Sequence, residues 1–270
     1  MKSINKKSII IYCLLLFFAI GMIFPLIYML IISFTNGNFQ FYNILSNLSL
    51  SNYKEILISD KFDIYFLNSL LIAFIVSVGN VFFCLFVAYA IVRKKNVYTN
   101  ILFFTILGVL IIPPHVIMIP LYRLMVNFGW INSYYSLIIP WLITPFGVFL
   151  VKQYIEKLPI EIENAARLDG ANELYIIFNI VFPLAKPILT VLFIFIFLQN
   201  WNSFLFPFLF TNDEMFRTLP VGLTFYIGKQ SISWGQMMAG AGLSSIPILI
   251  IFIAFQNKII DSLTIGALKE

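Results

Sequence analysis

Charge is what this sequence has least of. Only 11% of its 270 residues are Asp, Glu, Lys or Arg, and it has one histidine, whereas a soluble domain is about 25% charged. With 61% of the chain hydrophobic, there is too little polar surface to face water on all sides, so the excess must face lipid. Acidic residues are scarcer still: the 12 Asp and Glu all lie outside the long apolar runs. Ion- and proton-coupled carriers hold their coupling ion on an intramembrane carboxylate; without one, the energy for any transport has to come from elsewhere. The two cysteines, Cys13 and Cys84, both sit inside apolar runs, too few and too deep for a disulfide framework or a metal site. No phosphate-binding loop is present. The nearest stretch, Gly222 to Gly228, Lys229 and Gln230, has the wrong glycine spacing and no Ser or Thr after the lysine. An enzyme needs titratable groups gathered in a pocket, and only His115 lies well inside an apolar run, with Lys186 at the edge of another. No catalytic activity and no cofactor bound by this chain are expected.

What the chain does have is long apolar runs. Six are long enough to span a bilayer, at about residues 9–34, 66–92, 100–122, 133–151, 184–210 and 237–256. Runs such as residues 246–254 do not alternate, which disfavours barrel strands. A lipid-exposed backbone must satisfy its own hydrogen bonds, so the fold class is all-α integral membrane. The first run follows Lys2, Lys6 and Lys7, yet it is too long for the apolar core of a signal peptide and is read as a retained helix. Organisation follows: residues 1–64 form a first helix and outer loop, 65–256 the main transmembrane domain, and 257–270 a tail.

The net charge of +5 marks topology rather than nucleic-acid binding, because the basic residues flank the apolar runs. A cytoplasmic N-terminus puts Lys2, Lys6, Lys7, Arg93, Lys94, Lys95, Lys152, Lys157, Arg167, Lys186, Lys258 and Lys269 inside. It leaves Lys54, Lys61, Arg123, Arg217 and Lys229 outside. That bias orients the chain in the cytoplasmic membrane with both termini inside.

The longest inner loop, about residues 152–183, is the most informative. Pro159 suits the first turn of a helix, and Glu161 and Glu163 near its start complement the helix dipole. Asp169 and Gly170 mark the turn that ends it. A second short helix is expected from near Ala171 to the membrane at Pro183. Ala165 and Ala166 keep the first helix slim enough for close approach by another surface. The residues alone leave two readings open, a docking element between two spans or an amphipathic loop lying on the membrane.

A specific pattern decides between them. Ala165, Ala166, Gly170, Ile180 and Pro183 fall at the spacing of Glu-Ala-Ala, three residues, Gly, nine residues, Ile, one residue, Leu-Pro. The stretch therefore resembles the cytoplasmic EAA loop of bacterial ABC importer permeases. Two positions depart from the pattern. Asn164 stands at its glutamate, keeping an amide but no charge, with Glu163 beside it, and Phe182 stands at its leucine. Residues 167–171, 182–187, 120–122, 201–204, 219–223 and 263–269 are similar to the carbohydrate branch of that family, the relatives of maltose, oligosaccharide and glycerol-phosphate permeases. The short form with six spans resembles the second permease of a heterodimeric pair.

The resemblance implies a type I importer permease fold and a set of partners: a homologous permease subunit, two ATP-binding subunits that carry ATP and Mg, an extracytoplasmic solute-binding protein and a sugar substrate. It implies that Glu163, Asn164, Ala165, Ala166, Asp169 and Gly170 dock on the ATPase subunit. Asn200, Trp201 and Asn202, with His115, are candidates for the translocation pathway, since an aromatic can stack on a sugar face while amides bond its hydroxyls. Helix–helix hydrogen bonding is the other reading of those amides. His115 follows Pro113 and Pro114, where a kink frees backbone carbonyls, and bonding to one or facing water is its plainer role. Gly240, Ala241, Gly242, Ser244 and Ser245 are read as a close-packing surface of the last span. The readings that compete with sugar import are a permease of the same class for another solute and, more distantly, a secondary carrier or channel.

Overall fold

A computed structural model describes residues 6–35, 48–59, 61–225 and 234–267. The lysines at positions 2, 229 and 269, the glycine–lysine stretch at 228–230 and residues 36–47 of the first outer loop lie outside the described residues. The described chain is almost entirely helical. In order, the helices are α1 (Lys6–Ser33), α2 (Ser51–Ser59), α3 (Phe62–Arg93), α4 (Val97–Ile111), α5 (Met118–Asn127), α6 (Tyr134–Ile138), α7 (Pro145–Ile155), α8 (Ile160–Leu168), α9 (Glu173–Ile176), α10 (Phe182–Trp201), α11 (Leu205–Phe210), α12 (Leu219–Thr224) and α13 (Trp234–Ala267).

Among the described residues, five spans are long and apolar enough to cross a bilayer: Ile10–Ser33, Phe62–Arg93, Tyr134–Ile155, Glu173–Trp201 and Trp234–Gln256. A sixth is broken. Val97–Ile111 and Pro114–Asn127 meet at 96°, where the sequence suggests one kinked helix over 100–122. The cause is the Pro113–Pro114 pair. Each proline removes a backbone donor and pushes the residue before it out of helical conformation; Ile112 is extended at ψ 119° and Pro113 at ψ 134°.

The run at 184–210 also differs from expectation at both ends. Its helix is continuous with α9, starting at Glu173 and ending at Trp201, and a separate α11 follows. Pro183 does not interrupt it. A π-helical turn over Ile177–Val181 directly precedes it, and this widened turn accommodates the missing N–H and the ring. At the chain's end, helical backbone continues past residue 256 to Ala267.

By its contacts the chain divides into two compact units. The smaller comprises Met1–Asp63 and Gly222–Pro247. In it the Asn52 amide donates to the carbonyls of Ser33 and Thr35, each at 3.0 Å. A Cβ at Gly235 would run into that amide, and one at Gly240 would meet the Leu223 side chain, so this part of α13 packs closely through its small residues. Ser244 and Ser245 instead donate back to the carbonyls of Ala241 and Gly242 in their own helix. Along α1 the side chains from Ile10 to Ile27 are exposed and nearly all apolar, as suits a helix bathed in lipid.

The larger unit comprises Ile64–Val221 and Ile248–Glu270. Its core is built where α3, α7 and α10 meet, around Val76, Leu85, Val148, Val151, Ile155, Leu192 and Ile196. Buried amides pin these helices together, because an unpaired amide at this depth is costly. The Asn80 amide donates to Trp141 O at 3.0 Å, and Asn80 Oδ1 accepts from the Thr144 hydroxyl at 3.1 Å. Thr144 also caps α7 by accepting from Gly147 N at 3.1 Å. A Cβ at Gly147 would lie 2.6 Å from Asn80 Oδ1 and 2.7 Å from Cys84 Sγ, so glycine is required for α3 and α7 to approach this closely. At the other end of α3, the Asn68 amide donates to the carbonyls of Met215 (2.9 Å) and Arg217 (3.0 Å), and Ser69 Oγ accepts from Leu219 N at 2.7 Å.

Candidate docking site in the inner loop

The loop folds as its residues suggest. Pro159 precedes the first residue of α8, Glu161 and Glu163 occupy its first turn, and Arg167 occupies its last, each charge favourable toward the helix dipole. The helix ends in a Schellman motif: Ala171 N donates to Ala166 O at 2.9 Å and Gly170 N to Arg167 O at 3.1 Å. The motif needs a left-handed residue, and Gly170 supplies it at φ 84°. Asn172 then caps α9, its side chain accepting from Tyr175 N at 2.8 Å. The chain thus reverses over a few residues and re-enters the long helix toward Trp201.

The result is a V of two short helices with apolar side chains exposed. Leu168 is 90% exposed, and Ile160, Ile162, Leu174 and Tyr175 are also exposed. Ala165, Asn164, Asp169 and Gly170 lie on the open surface with them. Between the arms is a hollow of about 420 Å³ bordered by Ala166, Asp169, Gly170, Ala171, Tyr175 and Asn179. Exposed apolar residues beside small ones form a surface that another protein can cover.

Glu163 corrects one expectation. It is only 2% exposed and points into the chain rather than out to a partner. Arg93, the last residue of α3, grips it: Nη2 donates to Oε1 at 2.6 Å and Nε to Oε1 and Oε2 at 2.9 and 3.1 Å. Arg93 Nη2 also reaches Ile155 O, at the end of α7, at 3.4 Å. A second ring closes around this pair. Arg167 lies 3.5 Å from Glu163 and donates to Glu173 Oε1 at 3.1 Å and to Asn164 Oδ1 at 3.0 Å. Tyr89 Oη accepts from Arg167 Nη2 at 2.9 Å and donates to Glu173 Oε2 at 2.6 Å. The hydrogen bond that Arg167 donates to Glu173 is the main reason the Arg167 pKa is raised above its ordinary value, so the guanidinium stays charged.

Tyr89, Arg93 and Glu173 are not site candidates on sequence grounds, where Arg93 serves only as a topology marker. The available signal was its place as the first cation after a long apolar run, opposite a loop with paired carboxylates.

The pathway candidates are not brought together with this loop. Trp201 ends α10 at 2% exposure, stacked on Phe197 with ring centroids 5.9 Å apart and edge-on to Phe66 at 5.5 Å. In this chain its ring is packed rather than open. The Asn200 and Asn202 amides donate to the carbonyls one turn back, Ile196 and Leu198, at 2.9 and 2.8 Å. Asn202, just past the end of the helix, is exposed, and Asn200 is half-buried. His115 lies just past the break between α4 and α5 and is exposed. Among the described residues, no cluster of His, Cys, Asp and Glu could hold a metal ion.

Comparison with known proteins agrees with this geometry. The model of the family described as "Binding-protein-dependent transport system inner membrane component" matches residues 80–264. An arabinooligosaccharides transport system permease protein, AraQ of Halalkalibacterium halodurans, is 33% identical over 260 residues, covering 94% of this chain and 93% of its own. The trehalose/maltose transport system permease protein MalG of Thermococcus litoralis is 31% identical over 271 residues, covering 97% of each. Among solved structures, a chain of a bacterial ABC transporter involved in the import of the acidic polysaccharide alginate superposes with a TM-score of 0.83 at 22% identity, over 95% of this chain and 99% of that one.

Proposed function

This chain belongs to the family of binding-protein-dependent transport system inner membrane components, and from that premise we propose that it is a membrane-spanning permease subunit of an ATP-driven importer for an oligosaccharide or related carbohydrate. The observation that carries the reading is the inner loop. A nine-residue helix at the EAA spacing, capped by Gly170 and exposing apolar and small side chains, is a ready docking element. The carbohydrate class rests on relatives above 30% identity over almost the full chain that are named for arabinooligosaccharide and trehalose/maltose transport.

In this reading the chain pairs with a homologous permease subunit. Two ATP-binding subunits dock on the inner loops and hold ATP and Mg, and a solute-binding protein delivers sugar from outside. Closure of the ATPase pair moves α8 and with it the helices to which α8 is fastened, a rigid-body transition of packed elements. The chain itself moves no proton and breaks no bond. The carbonyl oxygens of Asn200 and Asn202, and the exposed His115, are the candidate polar contacts along the pathway.

The decisive experiment reconstitutes the chain into vesicles with its partner subunits and the loaded binding protein. ATP-dependent accumulation of the oligosaccharide is expected, and none is expected when the ATPase subunits are omitted. Uptake that persists without them would make the chain a secondary carrier instead. Orientation has its own test. Both termini are placed in the cytoplasm, so an impermeant thiol reagent should label a cysteine introduced at Lys54 in intact cells and leave one at Lys95 untouched. Labelling at position 95 would invert the topology.

A further inference from the structure

We propose that Glu163 is a positioning residue that fastens α8 to the cytoplasmic end of α3, making α3 the rod that carries motion of the docking helix across the membrane. The proposal rests on the reading of α8 as the ATPase-docking element. Glu163 is the buried exception on a helix whose neighbours Ile162 and Asn164 are exposed. A carboxylate persists in such a place only when it is paired and hydrogen-bonded. Its partner is the guanidinium of Arg93, which contacts both oxygens and also reaches Ile155 O. One side chain therefore ties together the ends of α3, α7 and the middle of α8. Arg167, Tyr89 and Glu173 add a second tie between α8, α3 and α9.

The rest of α3 suits a rod. It runs 32 residues without a break, about 48 Å at the α-helical rise. Asn80 and the close approach at Gly147 clamp its middle to α7. Its far end is fastened as firmly as its near end: Asn68 holds the carbonyls of Met215 and Arg217, Tyr134 donates to Asn68 Oδ1 at 2.7 Å, and Ser69 accepts from Leu219 N. One helix thus bears hydrogen-bonded attachments to the docking loop at one end and to the loop after α11 at the other. A displacement of α8 that is rigidly transmitted to α3 reaches that second loop, whereas a loosened α8 would move without it.

The experiment uses the whole importer with Glu163→Gln in this chain. Gln fills the same space and removes the charge that Arg93 and Arg167 grip. Amide hydrogen exchange over residues 160–168 is expected to quicken at least tenfold. The ATPase subunit is expected to co-purify, but stimulation of hydrolysis by the loaded binding protein is expected to be lost and sugar moved per ATP to fall about tenfold. Arg93→Lys, which keeps the charge but not the fork, should fall between. Unchanged exchange over α8, or unchanged sugar per ATP, overturns the proposal. If Glu163→Gln fails to accumulate in membranes, Arg93→Met with Glu163→Leu replaces the ion pair by apolar contact. Recovery of abundance with sugar per ATP still low upholds the fastening role; recovery of both reduces the pair to packing and overturns it. The exchange measurement needs no sugar. A wild-type importer that moves no carbohydrate would therefore sink the functional reading while the fastening of α8 is still scored.

Discussion

Gly170→Val is expected to abolish ATP-driven uptake and retention of the ATPase subunit together while the chain remains inserted in the membrane. The residue sits at φ 84°, in the left-handed region, which costs an L-residue about 1–2 kcal/mol and a β-branched one more. A Cβ there would meet nothing within 4 Å, so the penalty is entirely one of backbone conformation. The chain can relieve it by abandoning the Schellman turn. That breaks the Ala171–Ala166 and Gly170–Arg167 hydrogen bonds and rotates Leu168 and Asp169 away from their present positions. Gly170→Ala carries the same sign of strain with less bulk and should be milder, and Gly170→Asn milder still, since asparagine tolerates this region. Normal uptake with normal ATPase retention in Gly170→Val would show that the turn is only a surface linker.

Leu168→Glu should likewise spare folding and cost partner binding, but through a lost contact rather than a changed backbone. Leu168 is 90% exposed, so it contributes almost nothing to packing within the chain, and surface changes of this kind stay within about 0.5 kcal/mol. Covered by an ATPase groove, a leucine contributes about 1.5–3 kcal/mol through burial, and 1.4 kcal/mol is a factor of ten in affinity. Leu168→Ala should thus weaken retention of the ATPase subunit about tenfold. Leu168→Glu should weaken it further, because a carboxylate would have to be desolvated there. Thermal unfolding of the purified chain and pull-down of the ATPase subunit are the two readouts. A drop in unfolding temperature with retention intact would place Leu168 in the chain's own structure rather than at an interface.

These two residues were not equally visible from the sequence. The turn at Gly170 was legible because Asp-Gly after an amphipathic stretch is a local signal, and a left-handed cap depends on a few neighbouring residues. Leu168 lies in the stretch 167–171 that resembles the carbohydrate branch, but its exposure becomes known only once α8 is seen to bury Glu163 on its opposite side. Glu163 itself, expected at the docking surface, shows the limit of local reasoning. A carboxylate near a helix start is satisfied by the dipole whether it points out or in. Its direction here is set by Arg93, 70 residues earlier in the chain.

The same division holds for the spans. Apolar length located the membrane segments because hydrocarbon thickness acts on each segment separately. The Pro113–Pro114 pair announced a disturbance, since its steric effects reach only the adjoining residues. The 96° angle between α4 and α5 is another matter, because both prolines accept a range of ψ and the angle depends on what each arm packs against. The helix from Glu173 to Trp201 likewise passes Pro183 through a π-helical turn, a choice between kinking and widening that no residue near the proline dictates. Composition, run length and the EAA spacing by themselves determined an all-helical membrane protein with an EAA-type loop, because each is a property of the chain read locally. Which carboxylate turns inward, which aromatic is packed rather than open, and which helix the docking loop is bolted to were decided only by the tertiary structure, because each depends on partners that folding brings together from distant parts of the chain.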